Sequence, residues 1–287
     1  MIKEWIKEEY DPQNKAEFKS ALRQVMQHIA LAGLQRSHFF KHAAFYGGTA
    51  LRIFYGLPRF SEDLDFSLLT PKPDFNLSPY FKALEQEFES YGIHVSITSK
   101  NKSDKSPIES AFLKSESLMQ NIVLEWSDSK FGVKEKTYVK IKLEVDTRPP
   151  LKFSTEEKLL LKPFSCYIKC FVPRDLYAGK MHALLYRKWK NRVKGRDWFD
   201  MEWYIKKGFP LNLSHFKERA VQSGDMPKER PISREKLIKM VHDQIDSTDI
   251  EQAKSDVIRF IPQPDSLDIW SQKYFHDIIE HIITTDV

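Results

Sequence analysis

Residues 45–66 read FYGGTALRIFYGLPRFSEDLDF. A glycine pair and two closely spaced aspartates fall here in one short strand-helix-strand unit. Apolar Ala43 to Tyr46 predicts a short buried strand. Gly47 and Gly48 let the backbone take positive φ and approach a ligand with no Cβ in the way. Thr49 is placed to cap a helix over Ala50 to Tyr55, which Gly56 and Pro58 stop. Open N–H groups at such a helix start favour phosphate, because they are unsatisfied donors at the positive end of the dipole. The unit therefore suits a triphosphate.

The second strand carries Asp63-Leu64-Asp65-Phe66, and its two-residue period sends both aspartates to one face while Leu64 and Phe66 enter the core. Two carboxylates on one face repel unless a cation sits between them. Mg²⁺ suits the pair, since it takes hard oxygen ligands and completes its shell with water and substrate phosphate. Mn²⁺ is the other ion expected. A third carboxylate on a neighbouring strand would allow two metals and a clamp on the attacking and leaving oxygens. Residues 138–150, YVKIKLEVDTRPP, supply candidates. Val139, Ile141, Leu143 and Val145 alternate with Lys140, Lys142, Glu144 and Asp146, so both acids leave the polar face of one strand. Asp146 is the first choice as ligand and Glu144 nearly its equal, because strand spacing does not separate them. The competing reading is a solvated edge of mixed charge.

A second constellation lies in residues 173–208, where Asp175 is placed to cap a helix that packs Leu176, Ala183 and Leu184 inward. Lys180 shares a helical face with Leu176 and Leu184; it is either a snorkelling surface group or a point charge for phosphate. Arg187, Lys188, Lys190, Arg192, Lys194 and Arg196 form a basic run with Trp189 and Trp198 interleaved, a solvated helix end or a phosphate-binding surface. Asp197 and Asp200 follow at i and i+3, where a carboxylate near a reacting hydroxyl would act as general base.

A lone GG or a lone DxD is commonplace, but their order and spacing together are far more specific. The segment resembles the first motif of the polymerase-β-like nucleotidyltransferase superfamily, and RFSEDLDFS is similar to the AbiEii/AbiGii-type toxin nucleotidyltransferases of bacterial abortive-infection and toxin-antitoxin systems. Lys180 and the RDxxD element Arg196-Asp197-Trp198-Phe199-Asp200 extend the resemblance, which runs from Ala43 to Tyr204. The resemblance implies metal ligation by Asp63 and Asp65. It places Gly47, Gly48 and Ser61 on the nucleotide side, Lys180 on the phosphates, and Asp197 or Asp200 in catalysis. Thr49 and Arg52 of the short helix are grouped with the nucleotide-side candidates. It further implies an NTP substrate, an acceptor hydroxyl such as one on tRNA or another RNA, and a separately encoded antitoxin.

The expected fold is α+β: a nucleotidyltransferase-like mixed sheet with flanking helices over residues 1–173, then a helical domain over 174–287 that carries Lys180 and the RDxxD element. A chain of 287 residues, 41% hydrophobic and 30% charged, can bury a real core. Its net charge of +5 is compatible with nucleic acid or nucleotide but too small to establish either. Cys166 and Cys170 lack a second Cys or His pair for zinc and are expected as reduced, core-facing thiols. The start, MIKEWIKEEY, has no apolar h-region, and no apolar run approaches the ~18 residues of a membrane span. A cytoplasmic location is expected.

Elsewhere, residues 11–42 predict a packing helix, 80–91 an amphipathic helix and 93–97 a strand, with a loop around Pro107 over 99–117. The segment 112–126 is undecided between strand and helix. A short strand is expected over 166–172. Helices are expected over 234–245, 250–261 and 267–283, with Asp249 and Gln252 as a capping box and Trp270, Tyr274, Ile278 and Ile282 as a core stripe. This last third offers no chemistry and no internal repeat. Two other functions compete. A metal-dependent nuclease would use similar carboxylates, but its frequent acid-x-lysine order is reversed here in Lys142-Leu143-Glu144. A non-catalytic nucleotide-binding protein is opposed by the intact acids and Lys180.

Overall fold

The computed structural model describes residues 2–99, 117–128, 133–187 and 193–286. Residues 100–116 of the expected loop, and Lys188, Trp189, Lys190 and Arg192 of the basic run, lie outside the described residues. The chain forms two compact units. One takes in Met1–Tyr46, Glu62–Pro149 and Glu157–Cys170, the other Gly47–Ser61, Pro150–Glu156 and Phe171–Val287. This division differs from the expected 1–173 and 174–287: the glycine pair and its helix group with the C-terminal helices.

The first unit is built on helices α1 (Ile2–Tyr10), α2 (Lys15–Arg36) and α4 (Ser78–Glu89), and on most of a seven-stranded sheet. The strands are β1 (Ala43–Tyr46), β2 (Leu64–Leu68), β3 (Val95–Ser99), β4 (Ser117–Asp128), β5 (Val133–Asp146), β6 (Thr155–Leu160) and β7 (Cys166–Phe171), in the order β3-β4-β5-β2-β1-β7-β6. The described part of the undecided segment is thus strand. β2 runs antiparallel to β1 and parallel to β5. The alternation read from the sequence holds: Leu64, Phe66, Ile141 and Val145 are fully buried. Phe66 meets Phe39 edge-on at 5.1 Å, a geometry that aromatic quadrupoles favour, and Phe45 at 5.2 Å with the rings tilted by 32°.

Helix α2 starts at Lys15 rather than near Asp11, because Asn14 accepts from the Glu17 amide at 3.0 Å and closes the first turn. Its buried Phe18, Leu22, Val25 and Ile29 follow the helical period. From α2, Arg23 bonds the Glu62 carboxylate at 2.7 Å, and Gln27 donates to the Glu62 carbonyl at 3.0 Å. That grip fixes the residue before Asp63. Both cysteines are free thiols; Cys170 is buried and Cys166 only half-buried.

The second unit contains α3 (Gly47–Tyr55), α5 (Pro173–Tyr186), α6 (Gly195–Lys206), α7 (Leu213–Ser223), α8 (Arg234–Asp246), α9 (Ile250–Val257), α10 (Gln272–Ile279) and a parallel ribbon of β8 (Leu211–Asn212) with β9 (Thr284–Thr285). A Cβ on Gly195 would lie 1.8 Å from the Ala253 carbonyl oxygen, so only glycine lets α6 start against α9. Tyr177 of α5 stacks on Tyr204 of α6 at 4.2 Å with planes 5° apart. Asp175 does not cap α5. It lies buried in the first turn, accepting from the Ser154 amide and the Asn212 amide side chain, each at 2.6 Å. The last helix is shorter than predicted. Ser271 accepts from the Tyr274 amide and starts α10 there, so Phe275 and Ile279, not Tyr274 and Ile278, form its buried face.

Candidate functional site

Strand register decides where the acids of the first unit stand. Asp65 faces Tyr46 across the β1–β2 ladder and Glu144 across the β2–β5 ladder, while Asp146 faces Ser67. Glu144 is therefore the acid beside Asp65. Asp146 is two residues further along, about 6.6 Å at strand rise; it is 9% exposed and accepts from the Arg148 amide at 3.0 Å, which turns the chain out of the strand. By register it is Glu144, not Asp146, that stands beside Asp65.

Lys142 shares this face and donates to Glu144. Burial alone would pull its ammonium pKa down. The charge and hydrogen bond of Glu144, with the charges of Asp63 and Asp65, outweigh that and hold it above the ordinary lysine value. Asp63 just before β2, Asp65 on it and Glu144 on β5 thus act on one cation. Among the described residues, no group of three or more His, Cys, Asp or Glu is gathered so as to hold a metal ion as it stands. Hard oxygen donors around a half-buried positive charge nevertheless fit Mg²⁺ or Mn²⁺ chemically, with Lys142 the group that must withdraw.

In the second unit the glycine pair opens α3 directly. Gly47 has φ +83°, which L side chains rarely adopt, and the helix begins there rather than at Ala50. Thr49 is consequently a buried first-turn residue and not the cap, while Arg52 follows one turn on, half-buried. The donors that the helix start leaves without intrahelical partners are the amides of residues 47–50. A Cβ on Gly48 would lie 2.9 Å from both Arg59 Nη2 and Ser61 Oγ. Space at Gly48 is therefore filled by a guanidinium and a buried hydroxyl.

Arg59, which sequence reasoning missed, is 3% exposed and bonds Asp200 through Nε–Oδ1 at 2.5 Å and Nη2–Oδ2 at 2.7 Å. Lys180 Nζ reaches Asp200 Oδ2 at 2.7 Å and Asp197 Oδ1 at 3.8 Å. Burial pushes the Asp200 carboxyl up, but Arg59 and Lys180 overcome it and leave the pKa below the usual carboxylate value. A fully buried, doubly paired carboxylate of low pKa is an anchor, and a poor proton acceptor. The RDxxD element thereby separates into a strut, Asp200, and Asp197, which is 4% exposed. At the start of α6, burial lowers the Lys194 ammonium to about 8; Asp197 opposes the shift, and Arg187, Lys180 and Arg196 add to it. An excess of positive charge has collected there.

Two signals announced Arg59 and Lys142 faintly. An arginine that is buried needs a buried acid, so RDxxD was half of a pair whose other half had no pattern in the loop Gly56–Ser61. Lys142 was legible only as one polar residue of an alternating strand.

The profile of the family described as nucleotidyl transferase AbiEii toxin, type IV TA system, matches residues 29–277. A comparison with curated proteins gives no match. Among solved structures, MenT4, a nucleotidyltransferase toxin from Mycobacterium tuberculosis H37Rv, is 14% identical with a TM-score of 0.50, over 96% of this chain and 87% of its own. JHP933 from Helicobacter pylori is 19% identical with a TM-score of 0.44, over 89% and 85%. At such identities the likeness concerns the fold. The family match spans most of the chain and covers both the acidic strands and the glycine, lysine and RDxxD residues, and by it this protein belongs to the AbiEii nucleotidyltransferase toxin family of type IV toxin-antitoxin systems.

Proposed function

We propose that this toxin moves a nucleoside monophosphate from an NTP to a hydroxyl of RNA, with tRNA the leading acceptor class, and that it needs Mg²⁺ or Mn²⁺. The observation that carries the reading is the register that sets Glu144 beside Asp65 on adjacent strands, with Asp63 two residues before Asp65 and Lys142 bonded to Glu144 on the same face. Such a carboxylate set suits one hard cation. When bound, the ion would offset charge at the reacting phosphate and favour ionisation of the attacking hydroxyl. Asp63, Asp65 and Glu144 would hold it.

The other groups position phosphate. The open amides at the start of α3 would meet an anion, and Gly47, at φ +83°, lets the chain turn into the helix there. Lys180, held by Asp200 at 2.7 Å, presents a fixed positive charge. Arg59 has no direct part in this reading; it keeps Asp200, and through it Lys180, in place. The acceptor oxygen bonds the α-phosphorus, the bond from that phosphorus to the β-phosphate oxygen breaks, pyrophosphate leaves, and the hydroxyl proton passes to Asp197. Positioning and charge neutralisation supply most of the acceleration in chemistry of this kind. Growth arrest in an abortive-infection setting, action in the cytoplasm and restraint by a separately encoded antitoxin complete the proposal. Membership of a toxin-antitoxin family supports the last, and no described helix is long and apolar enough to cross a membrane.

Purified protein with Mg²⁺, each α-labelled NTP in turn and total cellular RNA tests this directly, beside an Asp63→Ala/Asp65→Ala double variant and Lys180→Ala. Label on RNA with the intact protein only is expected. RNA fragments formed without NTP would replace the proposal with a nuclease, and label on protein or a small molecule would change the acceptor class.

A further inference from the structure

Helices α8 and α10 lie antiparallel and are clamped at both ends. Arg234, at the start of α8, donates to the carbonyls of Ile282 at 3.0 Å and Glu280 at 2.5 Å. Gln272, at the start of α10, donates to the carbonyls of Ile245 at 3.2 Å and Asp246 at 3.3 Å. Between these clamps the two helices carry the same short pattern, His242-Asp243-Gln244-Ile245-Asp246 and His276-Asp277-Ile278-Ile279-Glu280. Each histidine bonds the acid that lies four residues after the other: His242 Nε2 meets Glu280 Oε1 at 2.9 Å, and His276 Nε2 meets Asp246 Oδ1 at 3.0 Å. The exchange is reciprocal, and it turns both Nδ1 atoms inward, 2.6 Å apart.

That spacing has a chemical consequence. An ionised carboxylate only accepts, so each Nε2 must carry the proton of its bond. Two neutral imidazoles then aim their Nδ1 lone pairs at each other across 2.6 Å, an arrangement that needs a cation between them. A proton would serve. So would a divalent metal ion of the kind imidazole prefers, because metal-ligating histidines are oriented in this way, with the remote ring nitrogen donating to a carboxylate. Tetrahedral Zn²⁺ with Zn–N near 2.0–2.1 Å sets two nitrogens about 3.3 Å apart, so the rings must part by about 0.7 Å relative to 2.6 Å. Both side chains are about 30% exposed and have room to do so.

We propose that His242 and His276 form a second cation site, separate in residues and in ligand chemistry from the carboxylates, which takes a borderline divalent ion such as Zn²⁺ through two Nδ1 atoms. Water or a further ligand completes its shell. Glu280 and Asp246 orient the rings. The site ties α8 to α10, and its ion stabilises the C-terminal helices by binding the folded form alone.

The test uses the full chain, stripped of metal by a chelator and then kept in excess Mg²⁺ to occupy oxygen-ligand sites, titrated with Zn²⁺ by calorimetry. One equivalent is expected to bind. His242→Gln and His276→Gln should each abolish that step, and Glu280→Gln should weaken it about tenfold or more. His281→Gln, a control beside the site, should not change it. Absence of Zn²⁺ binding in the wild type, or binding unaltered in both histidine variants, would overturn the proposal and leave a shared proton as the cation. Should the variants fold poorly, nitrogen NMR of the wild type decides. Zn²⁺ must shift the Nδ1 resonances of His242 and His276, and unmoved resonances would refute the site.

Discussion

Arg59 and Asp200, 141 residues apart in sequence, form a two-pronged ion pair at 2.5 and 2.7 Å with both side chains almost wholly buried. The pair ties the loop Gly56–Ser61 to α6, and because Lys180 shares Asp200 it also sets the lysine proposed to meet phosphate. Removing one partner of such a pair leaves a buried charge uncompensated, at a cost of ~3–5 kcal/mol. Arg59→Ala should fall at the lower end, since Lys180 still meets Asp200. Urea unfolding measures it, and a loss under ~1 kcal/mol would show that the buried pair is dispensable.

The same pair makes stability depend on pH in a stated direction. The folded-state pKa of Asp200 lies below its ordinary value of 3.8. The stabilisation is therefore complete above the ordinary carboxylate range and is lost as pH falls through the lower, folded-state value. Asp200→Asn should be less stable at neutral pH and should lack this component of acid unfolding. Parallel acid titrations of the two proteins would contradict the assignment.

Gly48→Ala tests close approach and not φ. Its Cβ would meet Arg59 Nη2 and Ser61 Oγ at 2.9 Å each, and the guanidinium is pinned by Asp200 and cannot swing away freely. Overpacking of this kind costs ~1–3 kcal/mol. Displacement of Arg59 should also loosen Lys180, so label transfer should fall by more than the fraction unfolded. Gly47→Ala acts instead through φ +83° and should cost ~1–2 kcal/mol. Wild-type stability in both variants would refute these readings.

What the sequence showed and what it hid follow from locality. The strand Val139 to Val145 and the acidic Asp63-Leu64-Asp65 were readable because a two-residue period places burial and charge on opposite faces without help from the rest of the chain. Gly47 was readable as a position needing positive φ. The choice between Glu144 and Asp146 was not, because it depends on the register of β2 against β5, a relation between segments some eighty residues apart. Arg59 was hidden for a similar reason: nothing near it in sequence explains its burial. The reciprocal His-x-x-x-acid patterns of α8 and α10 stood in plain view, but a histidine on a helix takes meaning only when the facing helix is known.

Register yields a prediction of its own. Glu144 faces Asp65, whereas Asp146 faces Ser67 and serves the turn at Arg148. Glu144→Gln should reduce transfer by several kcal/mol of barrier, more than about a hundredfold, with little change in folding. Asp146→Asn should reduce activity by less than about tenfold. Raising Mg²⁺ or Mn²⁺ should partly restore Glu144→Gln, which has lost a ligand, and leave Asp146→Asn unchanged. The reverse ranking of the two variants would return the third-acid role to Asp146.

Lys194 gives the pH test for the basic cluster. Burial, with Arg187, Lys180 and Arg196 nearby, holds its pKa at about 8 in the fold, against 10.5 ordinarily. Between those values the unfolded chain binds more protons than the folded one, so stability of the wild type should rise as pH climbs from about 8 to 10.5. An anion bound beside the cluster has the opposite preference: it is favoured while Lys194 is charged and weakens as pH rises through about 8. With inorganic triphosphate as probe, the wild type should bind about tenfold or more tightly than Lys194→Gln at pH 7, the worth of one charge-assisted bond. At pH 9.5 the two proteins should converge. Taking the ratio of their affinities cancels the titration of the probe itself, so a ratio that does not change with pH would remove Lys194 from the phosphate-binding groups.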